Sequence, residues 1–384
     1  SPVKSSPNQT EKMTWRETLL QSFGPGLLGG ITFGKWVQLL HENRFSVSPL
    51  YWPRALTISL QSIPNSVIHW TEEIRFSRQL RKVTVPPPVF VLGHWRQGTT
   101  HLHNLLTIDH RFAFPNNYQC LYPNSFLTAE MLHSKLIDFF LPEQRPMDNV
   151  EWRMASPQED EFALCVTRFR SPCMGWVFPR QREHYDRYLT MRDVPAHEVT
   201  EWKEAFLLFL QKLTWLSGRP LILKSPPHTA RIKLLLQILP DARFVHIHRN
   251  PYDVFHSTRK MLKSVAELHR LHRDPVAEDL DDWILTMYRR MYDAYFEERS
   301  LIPSGQFCEV GFEQLEQDPI GQIRGIYDAL QLPDFSHVRS DLHSYVNSIA
   351  DYRKNSFPDL PEELRQRIAD DWQRSFQEWG YPCR

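Results

Sequence analysis

The stretch VFVLGHWRQGTTHLHNLLTI, running from Val89 to Ile108, decides the fold. Four β-favouring residues precede a glycine, and a helix-compatible run begins at Thr99. Between them Gly93 and Gly98 keep the spacing of G-x-x-x-x-G-K-[ST], the phosphate loop that joins a strand to a helix. Thr100 fills the last position, but Thr99 stands where the lysine belongs. Backbone N–H groups at such a helix start bind phosphate oxygens, and the helix dipole adds to the attraction. Arg96 puts a fixed cation inside the loop, while Gln97, Gly98, Thr99 and Thr100 complete a cradle of amides and hydroxyls. A nucleoside triphosphatase uses the missing lysine on its β and γ phosphates, with an acidic residue holding magnesium. Without it, the loop suits a diphosphate-like anion better than a triphosphate.

The rest of the chain sets bounds on the function. It has 384 residues and equal numbers of acidic and basic side chains, so nucleic acid is not expected as a bulk partner. Cys120, Cys165, Cys173, Cys308 and Cys383 are scattered without a C-x-x-C pair. Such a set reads as free thiols in a reducing, cytoplasmic setting, with neither a disulfide frame nor a metal site. No run reaches eighteen uninterrupted apolar residues, so no transmembrane helix is expected. Twelve Trp, 13 Tyr and 23 Phe are enough to line an apolar pocket as well as a core.

Three regions differ in texture. Residues 1–14 are polar and read as a disordered tail. Residues 15–81 read as an apolar helical extension, broken by glycines and punctuated by Pro53 and Pro64. Its densest apolar face is Leu27, Leu28, Ile31, Phe33, Trp36, Val37, Leu39 and Leu40. That face belongs either to a hairpin packed on the main domain or to a peripheral membrane contact. Residues 82–384 read as a P-loop-like α/β domain whose parallel sheet is covered by helices on both faces. Its expected strands are Val89–Leu92, Arg111–Phe114, Leu221–Leu223, Arg243–His248 and Gln306–Val310. The segment 116–218 is too long for a loop and is expected to be a helical, acceptor-side insertion.

A second constellation lies in DARFVHIHRNPYDVFHSTRKM. A strand ends at His248, Asn250 caps the next helix, Pro251 takes its first position, and Ser257 falls in its second turn. Arg249 therefore stands at the carboxyl end of a parallel strand, where ligands bind. An arginine fork beside a serine suits a second, separate phosphate.

In order and in kind, the two motifs resemble those of the PAPS-dependent sulfotransferases. The fullest match is to the bacterial group with GHWR-x-GTTHLHNLL, and a more distant one is to the tyrosylprotein sulfotransferases. The resemblance covers about Pro86 to the C-terminus. It implies that RQGTT holds the 5′-phosphosulfate of 3′-phosphoadenosine-5′-phosphosulfate (PAPS), that Arg249 and Ser257 hold the 3′-phosphate, and that PAP is the product without any metal. It also implies a catalytic lysine at Lys224, where positive charge meets the oxygen left as the S–O bond breaks. VGFEQLEQDP resembles the segment at the adenine end, and Tyr352, Arg353 and Lys354 resemble a late stretch that covers the cofactor.

The acceptor hydroxyl needs a base. Tyrosylprotein sulfotransferases carry a glutamate after the second strand, where this chain has Asn116 and Asn117. The nearest acids are Glu159, Asp160 and Glu161, with Glu159 favoured. A competing account makes Ser156 a helix cap, Pro157 the first helical residue and Glu159 part of a capping box. His228 is a further candidate as a base or as a supporting group, and His94, His101 and His103 flank the loop. The apolar extension and the aromatic-rich insertion favour a small lipophilic alcohol or phenol as acceptor. The alternatives are a P-loop-type kinase or NTPase and a non-catalytic nucleotide-binding protein.

Overall fold

The computed structural model describes residues 18, 21–140, 153–273, 280–349 and 360–383. The expected tail at 1–14 and the candidates Tyr352, Arg353 and Lys354 lie outside them. Four strands, β1 (Val89–Leu92), β2 (Ile222–Lys224), β3 (Arg243–His248) and β4 (Phe307–Gly311), form one sheet in the order β2-β1-β3-β4. Every pairing is parallel, and Phe90 sits opposite both Leu223 and Phe244. Side chains alternate across the sheet, as the two-residue period of a strand requires. Phe90, Leu92, Leu223 and Phe244 enter one core, whereas Val89, Val91, Ile222, Val245 and Ile247 enter the other. Both faces are thus covered, which explains why β1 carries no polar residue at all.

The helices before and around β1 are α1 (Phe33–Glu42), α2 (Trp52–Leu80) and α3 (Thr99–Leu106). Residues 116–218 hold six more: α4 (Asn117–Leu121), α5 (Phe126–Phe140), α6 (Glu161–Thr167), α7 (Met174–Val177), α8 (Arg182–Asp186) and α9 (Ala196–Ser217). After β2 and β3 come α10 (Ile232–Ile238), α11 (Pro251–His269) and α12 (Leu280–Glu298). Beyond β4 lie α13 (Phe312–Gln317), α14 (Pro319–Ala329), α15 (Ser336–Ser348), α16 (Glu362–Asp371) and α17 (Gln373–Trp379).

Two expectations fail here. Residues 111–114 are not a strand; only Ala113 makes a lone parallel bridge, to Leu221. The Asp109 carboxylate accepts from the Arg111 backbone N–H at 3.0 Å and from its guanidinium at 2.8 Å, which curls the chain into a turn. Pro53 and Pro64 do not punctuate the extension either, because both lie within the 29-residue α2. Pro53 falls in the first turn, where no N–H is needed, and Pro64 leaves one carbonyl without its helical partner.

The N-terminal helices are part of the main core. Leu27, Leu28, Ile31, Trp36 and Leu39 are buried among residues of the sheet and insertion, leaving Phe33 and Val37 exposed. A Cβ on Gly30 would lie 2.2 Å from the Leu121 carbonyl oxygen, so only glycine permits this approach. The buried Arg54 guanidinium donates to the carbonyls of Glu267 and Arg270 at the end of α11, at 3.1 and 2.8 Å. Lys212 of α9 pairs with the buried Glu72 of α2 at 2.5 Å.

Candidate active site

The loop between β1 and α3 takes a path open to few residues. Gly98 has φ +93°, and a Cβ there would fall 2.3 Å from the Phe312 ring. Arg96 also has positive φ, +71°. The buried Gln97 side chain faces inward, accepting from the His94 N–H at 2.7 Å and from the Tyr292 hydroxyl. Thr229 accepts from the Gly93 N–H at 2.8 Å. These bonds fix the loop from behind. Gly98 is the N-cap of α3 and has no side chain to bond the first-turn N–H groups, which a helix cannot satisfy internally.

The second motif closes on the first. The Asn250 side chain accepts from the Tyr252 N–H at 3.0 Å, and Pro251 opens α11. This cap sets the helix so that the Arg96 Nε donates to Ser257 Oγ at 2.8 Å. Arg249 donates to the Arg96 carbonyl at 3.4 Å, and its guanidinium lies 4.5 Å from the centre of the Phe312 ring. Its buried Nε has no hydrogen-bond partner. Arg96, Gly98, Thr99, Thr100, Arg249 and Ser257 all line one cavity of about 1230 Å³.

Beside Thr100, three consecutive acids meet a lysine, a histidine and an arginine. Lys224, at the end of β2, bonds Glu159 at 2.9 Å and Thr100 Oγ1 at 3.4 Å. His228 Nε2 and Asp160 Oδ2 lie 2.5 Å apart, both fully buried. Arg231 grips Glu161 with two bonds of 2.8 and 3.0 Å, again fully buried. The Glu161 N–H donates to Ser225 Oγ at 2.9 Å, tying the acidic strap directly to the end of β2. Burial alone would raise the Asp160 carboxyl, but His228 and Ser225 outweigh it and hold the group below its ordinary range. The outer pair differs from the inner two in exposure, since the Glu159 side chain is 12 % accessible while the inner four are fully buried; Glu159 Oε2, like Asp160 Oδ1 and His228 Nδ1, has no hydrogen-bond partner.

This arrangement revises several expectations. Ser156 and Pro157 start no helix; α6 begins at Glu161, and Pro157 instead bridges Asn116 in extended form. The capping box belongs to Asn116 and Gln119, which open α4. None of Lys224, Glu159 and His228 belongs to the cavity lining, but His228 lies deepest, fully buried with its ring enclosed by Phe90, Trp202 and Phe206. That leaves it positioning Asp160 and no route to an acceptor proton. Lys224 is 2 % exposed and covered by its neighbours, not presented openly at the sheet edge. His94 and His103 are buried, and burial lowers their imidazoles to about 4 and about 3, which makes both core residues. His101 alone of the three lines the cavity.

Sequence reasoning missed Phe312 and Arg231. Phe312 sits in VGFEQ and forms the floor under Arg249, while Arg231 completes the spacing Lys224, His228, Arg231 that answers Glu159, Asp160, Glu161. The far end of the cavity is bounded by Asn116, Asn117, Leu213, Leu216 and Arg219, all from the insertion or its exit.

Comparison with known proteins adds a further set of findings. The profile of the sulfotransferase family matches residues 87–337. The omega-hydroxy-beta-dihydromenaquinone-9 sulfotransferases Stf3 of Mycobacterium tuberculosis and Mycobacterium bovis are each 34% identical over 380 residues, spanning 99% of this chain and 96% of theirs. Among solved structures, sulfotransferase STF9 of Mycobacterium avium aligns with a TM-score of 0.66 at 19% identity, over 90% of this chain and 96% of that one. STF1 of Mycobacterium tuberculosis H37Rv aligns with a TM-score of 0.58 at 17% identity, over 88% and 92%. At such identities these two likenesses establish a common fold.

Proposed function

This chain belongs to the sulfotransferase family and is a sulfotransferase, and on that premise we propose a donor, an acceptor class and a division of labour. The family requires a sulfate donor, which we take to be PAPS. The site suits it: a helix start without a side-chain cap and Arg249, whose buried Nε has no hydrogen-bond partner, belong to the lining of one cavity. When bound, PAPS would supply the sulfuryl group on its 5′ side. Arg96, Gly98, Thr99 and Thr100 would hold the phosphosulfate, with Gln97 bracing the loop. Arg249 and Ser257 would hold the 3′-phosphate over Phe312, with Tyr352, Arg353 and Lys354 as its proposed cover.

One observation carries the catalytic reading: the Lys224 ammonium spans the loop and the acidic strap, reaching Thr100 and Glu159 together. From there it can neutralise charge that grows on the loop side as the S–O bond breaks, where a buried cation acts strongly. Glu159, held by the same lysine and more exposed than the two acids after it, would take the acceptor's proton on Oε2, which has no hydrogen-bond partner. Asp160 with His228, and Glu161 with Arg231, position that carboxylate. No step in this scheme asks for a metal.

The acceptor we propose is the hydroxyl of a small lipophilic alcohol or phenol in the cytoplasm. Leu213 and Leu216 give the far wall of the cavity an apolar character, and the 34% identical relatives are named for a menaquinone derivative bearing an omega-hydroxyl. Transfer from labelled PAPS to long-chain alcohols, with PAP binding measured in parallel, tests the scheme. Lys224→Ala and Glu159→Gln should each cut turnover by about a hundredfold or more while PAP binding persists. Undiminished turnover in either variant would remove that residue from its role.

A further inference from the structure

Helix α2 is built inside out. Its buried positions include Arg54, Ser62, Asn65 and Glu72. Its exposed face carries Trp52, Leu56, Leu60, Ile63, Val67, Trp70 and Ile74, each 54 to 65 % accessible. Steps of three and four residues set these seven side chains in one stripe. No charged side chain is exposed from Trp52 to Thr71, a length of about 27 Å between the two tryptophans at 1.5 Å per residue. The exposed Phe33 and Val37 of α1 widen the stripe, and the Phe33 N–H bonds Ser66 of α2 at 2.8 Å. The helix keeps this inverted orientation because its polar residues have partners inside. Arg54 and Asn65 bond backbone carbonyls, and Glu72 meets Lys212.

Two further features identify what lies against this face. Past the stripe, Arg75, Arg78, Arg81 and Lys82 are exposed with only Glu73 to offset them, which is a basic border for anionic headgroups. The stripe also runs on to the reaction cavity. The Phe76 ring meets Trp215 of α9 at 4.9 Å, Trp215 and Leu216 are exposed, and Leu216 lines the cavity. A second copy of the chain seated on the stripe would crowd that rim, whereas a lipid surface would feed it.

We propose that α2 lies flat on an anionic lipid bilayer, its stripe in the headgroup–acyl boundary, and that the acceptor enters from the bilayer past Trp215 and Leu216. The entry route rests on the lipophilic acceptor proposed above; the docking does not. The face differs from the one the sequence suggested, most of which is buried, and no helix among the described residues is long and apolar enough to cross a membrane.

The test is co-sedimentation of the full chain with phosphatidylcholine vesicles, with and without phosphatidylglycerol, using wild type and Leu60→Glu/Val67→Glu. Both positions are exposed and remote from the cavity lining. Wild type should bind the anionic vesicles more tightly than the neutral ones, and the variant should bind about tenfold more weakly or worse. The variant should keep wild-type activity on a short water-soluble alcohol and lose it on a long-chain alcohol embedded in vesicles. Should the glutamates impair folding, Leu56→Gln/Ile63→Gln repeats the measurement with uncharged side chains. Wild type that ignores both vesicles, variants that bind as wild type does, or a wild-type dimer split by the variants would each overturn the docking. Wild type that binds vesicles but sulfates only water-soluble alcohols would uphold the docking and overturn the acceptor class.

Discussion

Replacing Gly98 with alanine confronts the loop proposed to hold the phosphosulfate with two separate penalties. At φ +93° an L-residue is strained, at ~1–2 kcal/mol for a left-handed conformation. The added methyl would also lie 2.3 and 2.7 Å from two carbons of the Phe312 ring, and overpacking of this kind costs ~1–3 kcal/mol. Together they make ~2–5 kcal/mol, or about 30- to 5000-fold in an equilibrium constant. If the loop keeps its shape, the loss appears as a lowered melting temperature. If the loop yields, it appears as weaker PAP binding by calorimetry. Phe312→Ala distinguishes the two terms, since it removes the collision but leaves the backbone strain. The double variant should therefore bind PAP at least about fivefold better than the sum of the single effects implies. Gly98→Ala with wild-type affinity and wild-type melting temperature would refute both the loop geometry and its assignment to the donor.

Other perturbations separate the remaining roles. Arg249→Ala should weaken PAP binding about 10- to 100-fold and leave kcat nearly unchanged, the reverse of Lys224→Ala, as steady-state kinetics with calorimetry will show. PAP without divalent ions should raise the melting temperature, by ~2.7 kcal/mol of added stability at a hundred times Kd, and ATP with magnesium should do far less. Burial lifts the Asp186 carboxyl from its ordinary 3.8 to about 6, so between those values the folded chain holds a proton that the unfolded chain releases. Stability then falls as pH rises through that window and stays lowered above it. Asp186→Asn keeps an acceptor for Trp283, bonded now at 2.7 Å, so it should match wild type at pH ~4 and gain up to ~3 kcal/mol at pH ~7.5 in denaturant titrations. Lys212→Met alone strands the buried Glu72 and should cost ~3–5 kcal/mol, whereas Lys212→Met with Glu72→Met should come close to neutral.

The parts of the site that could be read from the sequence are those set by local chemistry. Gly93, Gly98, Thr99 and Thr100 announce a strand, a loop and a helix start, and Asn250 with Pro251 announces another. The illegible parts depend on distant partners. Glu159, Asp160 and Glu161 satisfy every local rule for a helix start, yet cations 65 to 70 positions away hold them. His228 looked free to act until Asp160 and three aromatic rings enclosed it. The apolar period of α2 predicts a helix but cannot say which side faces inward. That is decided by Lys212 and by the carbonyls that Arg54 and Asn65 find. At Arg111 the error was local, because its capture by Asp109 left too little extended chain for a strand.

The three-rung ladder of acids and basic side chains bears on how this enzyme can change. Two rungs are sealed, so an insertion or deletion within 159–161 or 224–231 would strand buried charges and is closed to gradual variation. His101 and the exposed Leu216 line the cavity and belong to no rung. New acceptors should therefore arise by drift at those wall positions while the proposed reaction centre stays frozen. A mutant library aimed at altered substrates belongs on the wall, and transplanting the chemistry to another scaffold means moving both sides of the ladder at once.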